Sequence, residues 1–102
     1  MTAIGVFVAT RWESAAVCQA FAASEMRVVG GIRCAVARQG QVEWWVIPMG
    51  VGPERATTTA GRVLGEQSFA AVWSTGFACA LGQAVIGEVL IGTHVTMEGG
   101  AE

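Results

Sequence analysis

Short apolar segments rich in β-branched residues recur along the chain and predict the strands of a sheet. They alternate little between apolar and polar positions, which is typical of strands covered on both faces. The turn residues Gln39 and Gly40 separate two of these segments, which are therefore expected to form a hairpin. The predicted strands cover residues 4–9, 32–38, 42–49, 69–74 and 86–95.

Two further segments have the sequence features of helices. Thr10 and Glu13 have the S/T-x-x-E spacing of a capping box, in which each side chain satisfies a backbone N–H of the other residue. Apolar residues follow at steps of three and four before the glycine pair at 30–31 breaks the chain. A second helix is predicted to start at Pro53, which suits the first helical position, and to end near Gly65.

The order of these elements predicts an α/β fold. Helices that alternate with buried strands favour a mostly parallel or mixed sheet flanked by helices, in a three-layer α/β/α arrangement. Ligands bind such sheets at the carboxyl ends of the strands. Three segments leave predicted strands at those ends, with the sequences TRWE, MGVGPERA and STGFACA. We therefore expect these three loops to converge and to form a site.

Composition narrows the class of protein. The 102 residues allow one domain, and 53% hydrophobic against 14% charged residues is an apolar balance. A net charge of −2 and six scattered basic residues provide no basic face for nucleic acid. The apolar runs are shorter than the ~20 residues of a membrane span, and the N-terminus lacks the basic region of a signal peptide. We expect a cytoplasmic protein that binds neither nucleic acid nor membranes.

The residues that commonly bind metals offer no recognisable cluster. Cys18, Cys34 and Cys79 lack the spacing of metal ligands, and reduced, mostly buried thiols are the simplest interpretation. His94, the one histidine, belongs to no Cys/His pattern and is interpreted as a polar group at a strand end. No metal and no cofactor is expected.

The loop Gly50-Val51-Gly52 is either a tight turn or a ligand cradle. It is not a Walker loop, because no G-K-[ST] follows, and it lacks the third glycine of a dinucleotide fingerprint. The cradle hypothesis is favoured by the helix that follows, whose free N–H groups and dipole attract anions and hydroxyl oxygens. Arg55 opposes that dipole, so it either projects into solvent or joins the loop in holding a negative group.

Glu13 also has two interpretations. It caps its own helix, or it is a catalytic carboxylate at the end of the first strand. The two roles are compatible, because a cap holds the carboxylate at the place where the predicted loops converge.

Taken together, the segments IGVFVATRWESAAV, PMGVGPERA and STGFACALGQAVIGEVLIG resemble the nucleoside phosphorylase superfamily. They are most similar to its purine nucleosidase branch, typified by methylthioadenosine/S-adenosylhomocysteine nucleosidase (MTAN). A near relative is the hopanoid-associated phosphorylase-like group, thought to act on an adenosylated hopanoid, whose glycine loop is much like GVGPERA. The resemblance implies a homo-oligomer that binds a small-molecule nucleoside of the adenosine type and hydrolyses its N-glycosidic bond.

The resemblance also implies roles for individual residues. The nucleosidases carry a glutamate after the first strand that activates the attacking water, and this glutamate matches Glu13. Thr10 falls where the same loop lines the ribose pocket. The remaining matches lie in the glycine loop and in the loop after the next strand, which runs beside ribose and base; they are Gly50, Val51, Gly52, Thr75, Gly76, Phe77 and Ala78.

Departures from the family pattern change what is expected. Phosphorylases of this type commonly use an arginine and a later serine for phosphate, and Ser74 and Phe77 do not complete such a site, which favours water as the nucleophile. Phe77, where a small residue is common, indicates a changed or apolar ligand. Family domains also continue further, and the continuation supplies a glutamate for the ribose hydroxyls and an aspartate that protonates the purine.

Residues 1–102 are therefore interpreted as the N-terminal half of a nucleosidase-like domain, with a polar tail at about 97–102. The chain by itself is expected to be inactive or nearly so, because it lacks the acid that protonates the leaving purine. Two alternatives stay open. One is a non-catalytic nucleoside-binding module, and the other is a truncated structural fragment without activity.

Overall fold

A computed structural model of the chain describes residues 1–76 and 87–92. The segment 87–92 forms no strand, so this part of the strand predicted over 86–95 is wrong, and the remainder lies outside the described residues. The elements in chain order are β1 (Thr2–Val8), α1 (Arg11–Phe21), β2 (Glu25–Val29), β3 (Ile32–Gln39), β4 (Val42–Pro48), α2 (Pro53–Glu66) and β5 (Ala71–Ser74).

The strands of the described residues form one mixed sheet in the order β2-β3-β4-β1-β5. β1 lies between β4 and β5 and runs parallel to both, whereas β2, β3 and β4 form an antiparallel meander. The helix α1 packs on one face of the sheet and α2 on the other. The predicted α/β class, with a mixed sheet between helices, is confirmed.

Two small cores lie on the two faces of the sheet, because alternate residues of a strand point to opposite sides. The core under α2 is the larger and includes Val63 of that helix. The core under α1 is extended by partly buried side chains of the helix, among them Val17 and Phe21. The buried strand residues that belong to these two cores are Phe7, Cys34, Val36, Trp45 and Ile47 on the α2 face, and Val6, Val8 and Val46 on the α1 face.

The strand β2 is absent from the predicted elements. Gly30 and Gly31, interpreted above as a break, form a two-residue turn with φ of 59° and 78°, and Val29 pairs with Ile32 across it. Both central residues of a hairpin turn of this kind need positive φ, which glycine adopts at little steric cost. A Gly-Gly pair between two β-rich runs is itself a hairpin signal, so this strand was predictable.

Trp44 and Trp45 point to opposite faces of the sheet, as adjacent residues of a strand must. Trp45 is buried on the α2 face and meets Phe69 edge-on, with ring centroids 5.8 Å apart. Trp44 stacks on Phe21 of α1, with centroids 4.7 Å apart and ring planes 13° apart. Trp44 therefore helps to fix α1 on the sheet.

Four charged side chains form a network across the meander. Arg27 and Arg38 contact Glu25 and Glu43, with N–O distances from 2.9 Å to 3.6 Å. The indole N–H of Trp45 donates to Glu43 Oε1 at 3.3 Å. Burial opposes ionisation of Glu43, but hydrogen bonds from Arg38 and Trp45 and the charges of both arginines outweigh it. The pKa of the Glu43 carboxyl therefore lies below its ordinary value of 4.5.

Glu43→Gln is expected to lower the free energy of unfolding by about 1–2 kcal/mol at pH 7, because it removes the charged acceptor between two arginines. Since folding lowers the pKa of Glu43, this contribution is complete above pH 4.5 and is lost as the pH falls through the lower folded-state value. Urea unfolding of both proteins from neutral to acid pH measures the difference.

The matched control is Glu25→Gln. Glu25 contacts the same arginines, but its side chain is 40% exposed against 13% for Glu43, so its loss should cost less at pH 7. A destabilisation by Glu43→Gln that stays constant down to acid pH would show that the carboxylate charge contributes nothing.

Candidate functional site

The carboxyl ends of β1, β4 and β5 lie side by side at one edge of the sheet. Val8 of β1 is level with Pro48 of β4. Beyond the strands, the backbone N–H of Met49 donates to Val8 O at 2.7 Å, and that of Thr75 donates to Phe7 O at 3.1 Å. Neighbouring strands are ~4.8 Å apart, so the three predicted loops leave adjacent strands together. We call this edge, with residues 10–13, 50–52 and 75–76, the rim.

Thr10 and Glu13 form the capping box that the sequence predicts. Thr10 is extended, with φ −115° and ψ 160°, and its hydroxyl accepts from the Glu13 backbone N–H at 3.2 Å. In return, Glu13 Oε1 accepts from the Thr10 backbone N–H at 3.1 Å and from the Thr10 hydroxyl at 2.9 Å. One carboxylate oxygen of Glu13 is thus held by two donors of a single residue at the start of α1.

The other carboxylate oxygen of Glu13 lies against Gly76. A Cβ built on Gly76 would overlap Glu13 Oε2 and would lie 2.9 Å from Glu13 Cδ. Gly76 follows β5 and Glu13 follows β1, so the parallel pairing of these strands brings the two loops together. The contact requires a glycine at position 76, because any side chain there would displace the carboxylate.

The glycine loop occupies the same edge but leads to the opposite face. Gly50 and Gly52 have φ of 81° and 100°, and Gly52 is the N-cap of α2, which packs on the side away from α1. A Cβ on Gly50 would lie 2.9 Å from Cδ of Arg55, so the aliphatic part of Arg55 folds over the loop. Val51 between the glycines is 67% exposed. The rim therefore extends from Glu13 on one face to the glycine loop on the other.

The structure describes only part of the third predicted loop. Thr75 is placed by its backbone bond to β1, and Gly76 by its contact with Glu13. Phe77 and Ala78, which the resemblance places beside ribose and base, lie outside the described residues, as do His94 and Cys79. The structure thus brings together Thr10, Glu13, Thr75 and Gly76, with the glycine loop at the same edge.

Sequence patterns did not reveal an apolar cleft of about 230 Å³ on the α1 face, between α1 and β5. Val17 and Phe21 of α1 line one side, Trp73 of β5 the other, and Thr75 connects the cleft to the rim. Trp73 is 53% exposed because the described residues leave the outer side of β5 uncovered. The larger depression, of about 440 Å³, is an open surface groove along the first turns of α2 and does not include Glu13.

Other chemistries have little support among the described residues. No group of three His, Cys, Asp or Glu side chains there is arranged to hold a metal ion. Burial raises the pKa of the Cys34 thiol to about 11, so this cysteine stays protonated at neutral pH and is a poor nucleophile. Neither described helix is long and apolar enough to cross a membrane.

Comparison with solved structures places this geometry in a known fold. No protein-family profile matches the chain, and no curated protein matches its sequence. A futalosine hydrolase mutant from Helicobacter pylori strain 26695 superposes with a TM-score of 0.54 at 22% identity, over 72% of this chain and 33% of that one. An MTAN mutant from the same organism, with 5′-methylthioadenosine in its active site, gives 0.56 at 22% identity, over 74% and 33%. A further Helicobacter pylori MTAN structure gives 0.53 at 22% identity, over 72% and 33%.

The chain therefore has a nucleosidase-like α/β fold. The particular folds that it matches are those of MTAN and futalosine hydrolase, and it spans one third of the length of those chains. At 22% identity the likeness concerns the fold alone. It assigns no activity, ligand or partner to this chain.

Proposed function

We propose that this chain supplies the water-activating half of an N-glycosidase site for an adenosine-type nucleoside. The observation that carries the proposal is the Glu13 carboxylate, held at the carboxyl edge of parallel strands against the backbone of Gly76. Ligands of α/β sheets bind at this edge. A protein of the same fold holds 5′-methylthioadenosine in its active site, which supports a nucleoside as the ligand.

The chemistry assigns distinct tasks to the groups of such a site. Cleavage of an N-glycosidic bond passes through an oxocarbenium-like state, which water attacks at the anomeric carbon. Glu13 takes a proton from that water as the bond from sugar to purine breaks. The glycine loop at Gly50 and Gly52 contributes backbone N–H groups and the N-terminus of α2 beside the ligand's oxygens. The purine leaves with the bonding electron pair and must then be protonated.

The described residues of the rim offer no acid for that last step. The carboxylate of the rim is Glu13, which the proposal uses as the base. The resemblance assigns protonation of the purine to an aspartate beyond the matched segments. Losing one acid–base group commonly costs ~10²–10⁴-fold in rate. The 102-residue chain is therefore expected to release adenine from 5′-methylthioadenosine far below the ordinary enzymatic range of ~1–10³ s⁻¹.

A substrate with a better leaving group tests the proposal directly. The nitrophenolate of p-nitrophenyl riboside leaves without being protonated, so its hydrolysis needs only the base and the sugar site. We expect slow, measurable release of nitrophenolate by the wild-type chain and a decrease of ~10²-fold or more in Glu13→Gln. Glutamine still serves in a capping box, so this variant retains the start of α1.

The matched control is Glu25→Gln, which removes a carboxylate from the meander and should leave the rate unchanged. Circular dichroism of all three proteins verifies that they fold alike. Equal rates in wild type and Glu13→Gln would exclude Glu13 as the base. Rapid adenine release by the wild-type chain would contradict the assignment of a half site.

A second candidate is nucleoside binding without turnover. It is favoured by the capping box, which gives the Glu13 carboxylate a structural role that requires no catalysis. Under this alternative, isothermal calorimetry would detect 5′-methylthioadenosine binding to both wild type and Glu13→Gln. Neither protein would then hydrolyse the activated riboside.

A further inference from the structure

Thr10 and Glu13 form three hydrogen bonds with each other. In a capping box the N-cap backbone N–H reaches the glutamate, and the N-cap side chain accepts from the backbone. Here the Thr10 hydroxyl also lies 2.9 Å from Glu13 Oε1. An ionised carboxylate can only accept hydrogen bonds, so this hydroxyl must donate to it.

The hydroxyl contact distinguishes the two oxygens of the carboxylate. Oε1 receives the backbone N–H of Thr10 at 3.1 Å and its hydroxyl at 2.9 Å. Oε2 is the oxygen at Gly76, where a Cβ would overlap it. Two donors on one oxygen fix the plane of the carboxylate, and this orientation directs Oε2 to the rim at Gly76.

We propose that Thr10 is a positioning residue, whose hydroxyl orients the Glu13 carboxylate so that Oε2 faces the ligand side of the rim at Gly76. The effect of Thr10 on catalysis rests on the function proposed above, whereas its effect on the orientation of the carboxylate does not. A threonine hydroxyl has one donor and two lone pairs. Its donor and one lone pair are engaged with Glu13, which leaves one acceptor for a ribose hydroxyl, as the resemblance expects.

Three substitutions separate positioning from helix capping. Thr10→Ser keeps the donor and the cap. Thr10→Asp keeps a strong N-cap acceptor for the Glu13 backbone N–H but cannot donate to the carboxylate, and it repels that group. Thr10→Val keeps the shape and removes both functions. If Thr10 positions Glu13, the Ser and Asp variants should both keep the start of α1, and only the Ser variant should keep the place of the Glu13 carboxylate.

Nuclear magnetic resonance tests the geometry without any turnover. The amide signal of Gly76 in the wild type should shift on acid titration as Glu13 is protonated, and this response should vanish in Glu13→Gln. We expect Thr10→Ser to retain the response, and Thr10→Asp and Thr10→Val to lose most of it. Full retention of the Gly76 response in both Thr10→Asp and Thr10→Val would overturn the proposal, as would its absence from the wild type.

Riboside hydrolysis then measures the consequence for catalysis. Thr10→Val and Thr10→Asp should lower kcat by ~10²-fold, because misplacing a catalytic group by about 1 Å has an effect of that size. Thr10→Asp should change KM little, whereas Thr10→Val also removes the acceptor for the ribose hydroxyl and should raise KM. Thr10→Ser should recover the rate to within about threefold of wild type. A wild-type chain with the Gly76 response but no riboside hydrolysis would refute the proposed function while supporting the positioning geometry.

Discussion

Gly30→Ala is expected to lower the free energy of unfolding by about 3–5 kcal/mol. Gly30 has φ of 59°, a left-handed conformation that costs a residue with a side chain about 1–2 kcal/mol. An added Cβ would also lie 2.7 Å from the carbonyl oxygen of Arg62 in α2. Backbone atoms of a packed helix cannot rotate away as a side chain can, so the turn and α2 must separate. The Gly30 N–H bond to Glu66 Oε2, now 2.7 Å, would be lost with them.

Gly31→Ala is the matched control for this substitution. Gly31 lies in the same turn with φ of 78°, but nothing lies within 4 Å of a Cβ built there. Its cost should be limited to the backbone conformation, about 1–2 kcal/mol. Urea unfolding of the two variants compares them directly. Equal losses would show that the hairpin turn does not pack on α2 as described.

Gly76→Ala is expected to lower the rate of riboside hydrolysis by ~10²-fold or more, to the level of Glu13→Gln, with little loss of stability. The added methyl group would occupy the place of Glu13 Oε2. That oxygen is the far end of a flexible side chain, so the carboxylate can swing away and relieve the overlap at small cost. The variant should therefore fold normally while the base is displaced.

Gly61→Ala in α2 is a suitable control for the same chemical change. Its Cβ meets nothing within 4 Å, and alanine favours a helix over glycine by ~1 kcal/mol. The variant should be slightly more stable than wild type and equally active. Hydrolysis that persists in Gly76→Ala would show that the contact between Gly76 and Glu13 is unrelated to catalysis.

The predicted and observed elements agree where the start of an element is determined by residues close to it in sequence. The Thr10–Glu13 capping box and Pro53 at the start of α2 depend on neighbours within one turn, and both appear as predicted. The residues of β2, including Glu25 and Arg27, do not form an apolar run, so the Gly30-Gly31 pair is the local signal that predicts this strand. Its pairing with β3 and its ion pairs with Arg38 and Glu43 in the other strands of the meander add stability that a scan of single segments cannot detect.

The outline of the site and the local contact between Thr10 and Glu13 were predictable, but the contact between Glu13 and Gly76 was not. Parallel strands that each end in a loop predict a shared edge, and β1, β4 and β5 supply it. Which loop reaches Glu13 depends on the lateral order of the strands: β5 pairs with β1, and this pairing places Gly76 beside the carboxylate. Lateral order is a tertiary property, so no spacing along the chain encodes it.

Titration of the isotope-labelled chain with 5′-methylthioadenosine tests the shared rim most directly. The amide signals of Gly50, Gly52 and Gly76 report on loops far apart in sequence, and one ligand at the rim should shift all three together with a single dissociation constant. Gly40, in the β3-β4 turn at the opposite edge of the sheet, is the internal reference and should not move. A binding free energy of −4 kcal/mol corresponds to a Kd of about 1 mM, so such a site would be mostly occupied at about 10 mM ligand. Signals that stay unchanged at all three positions up to that concentration would contradict a nucleoside site at this edge.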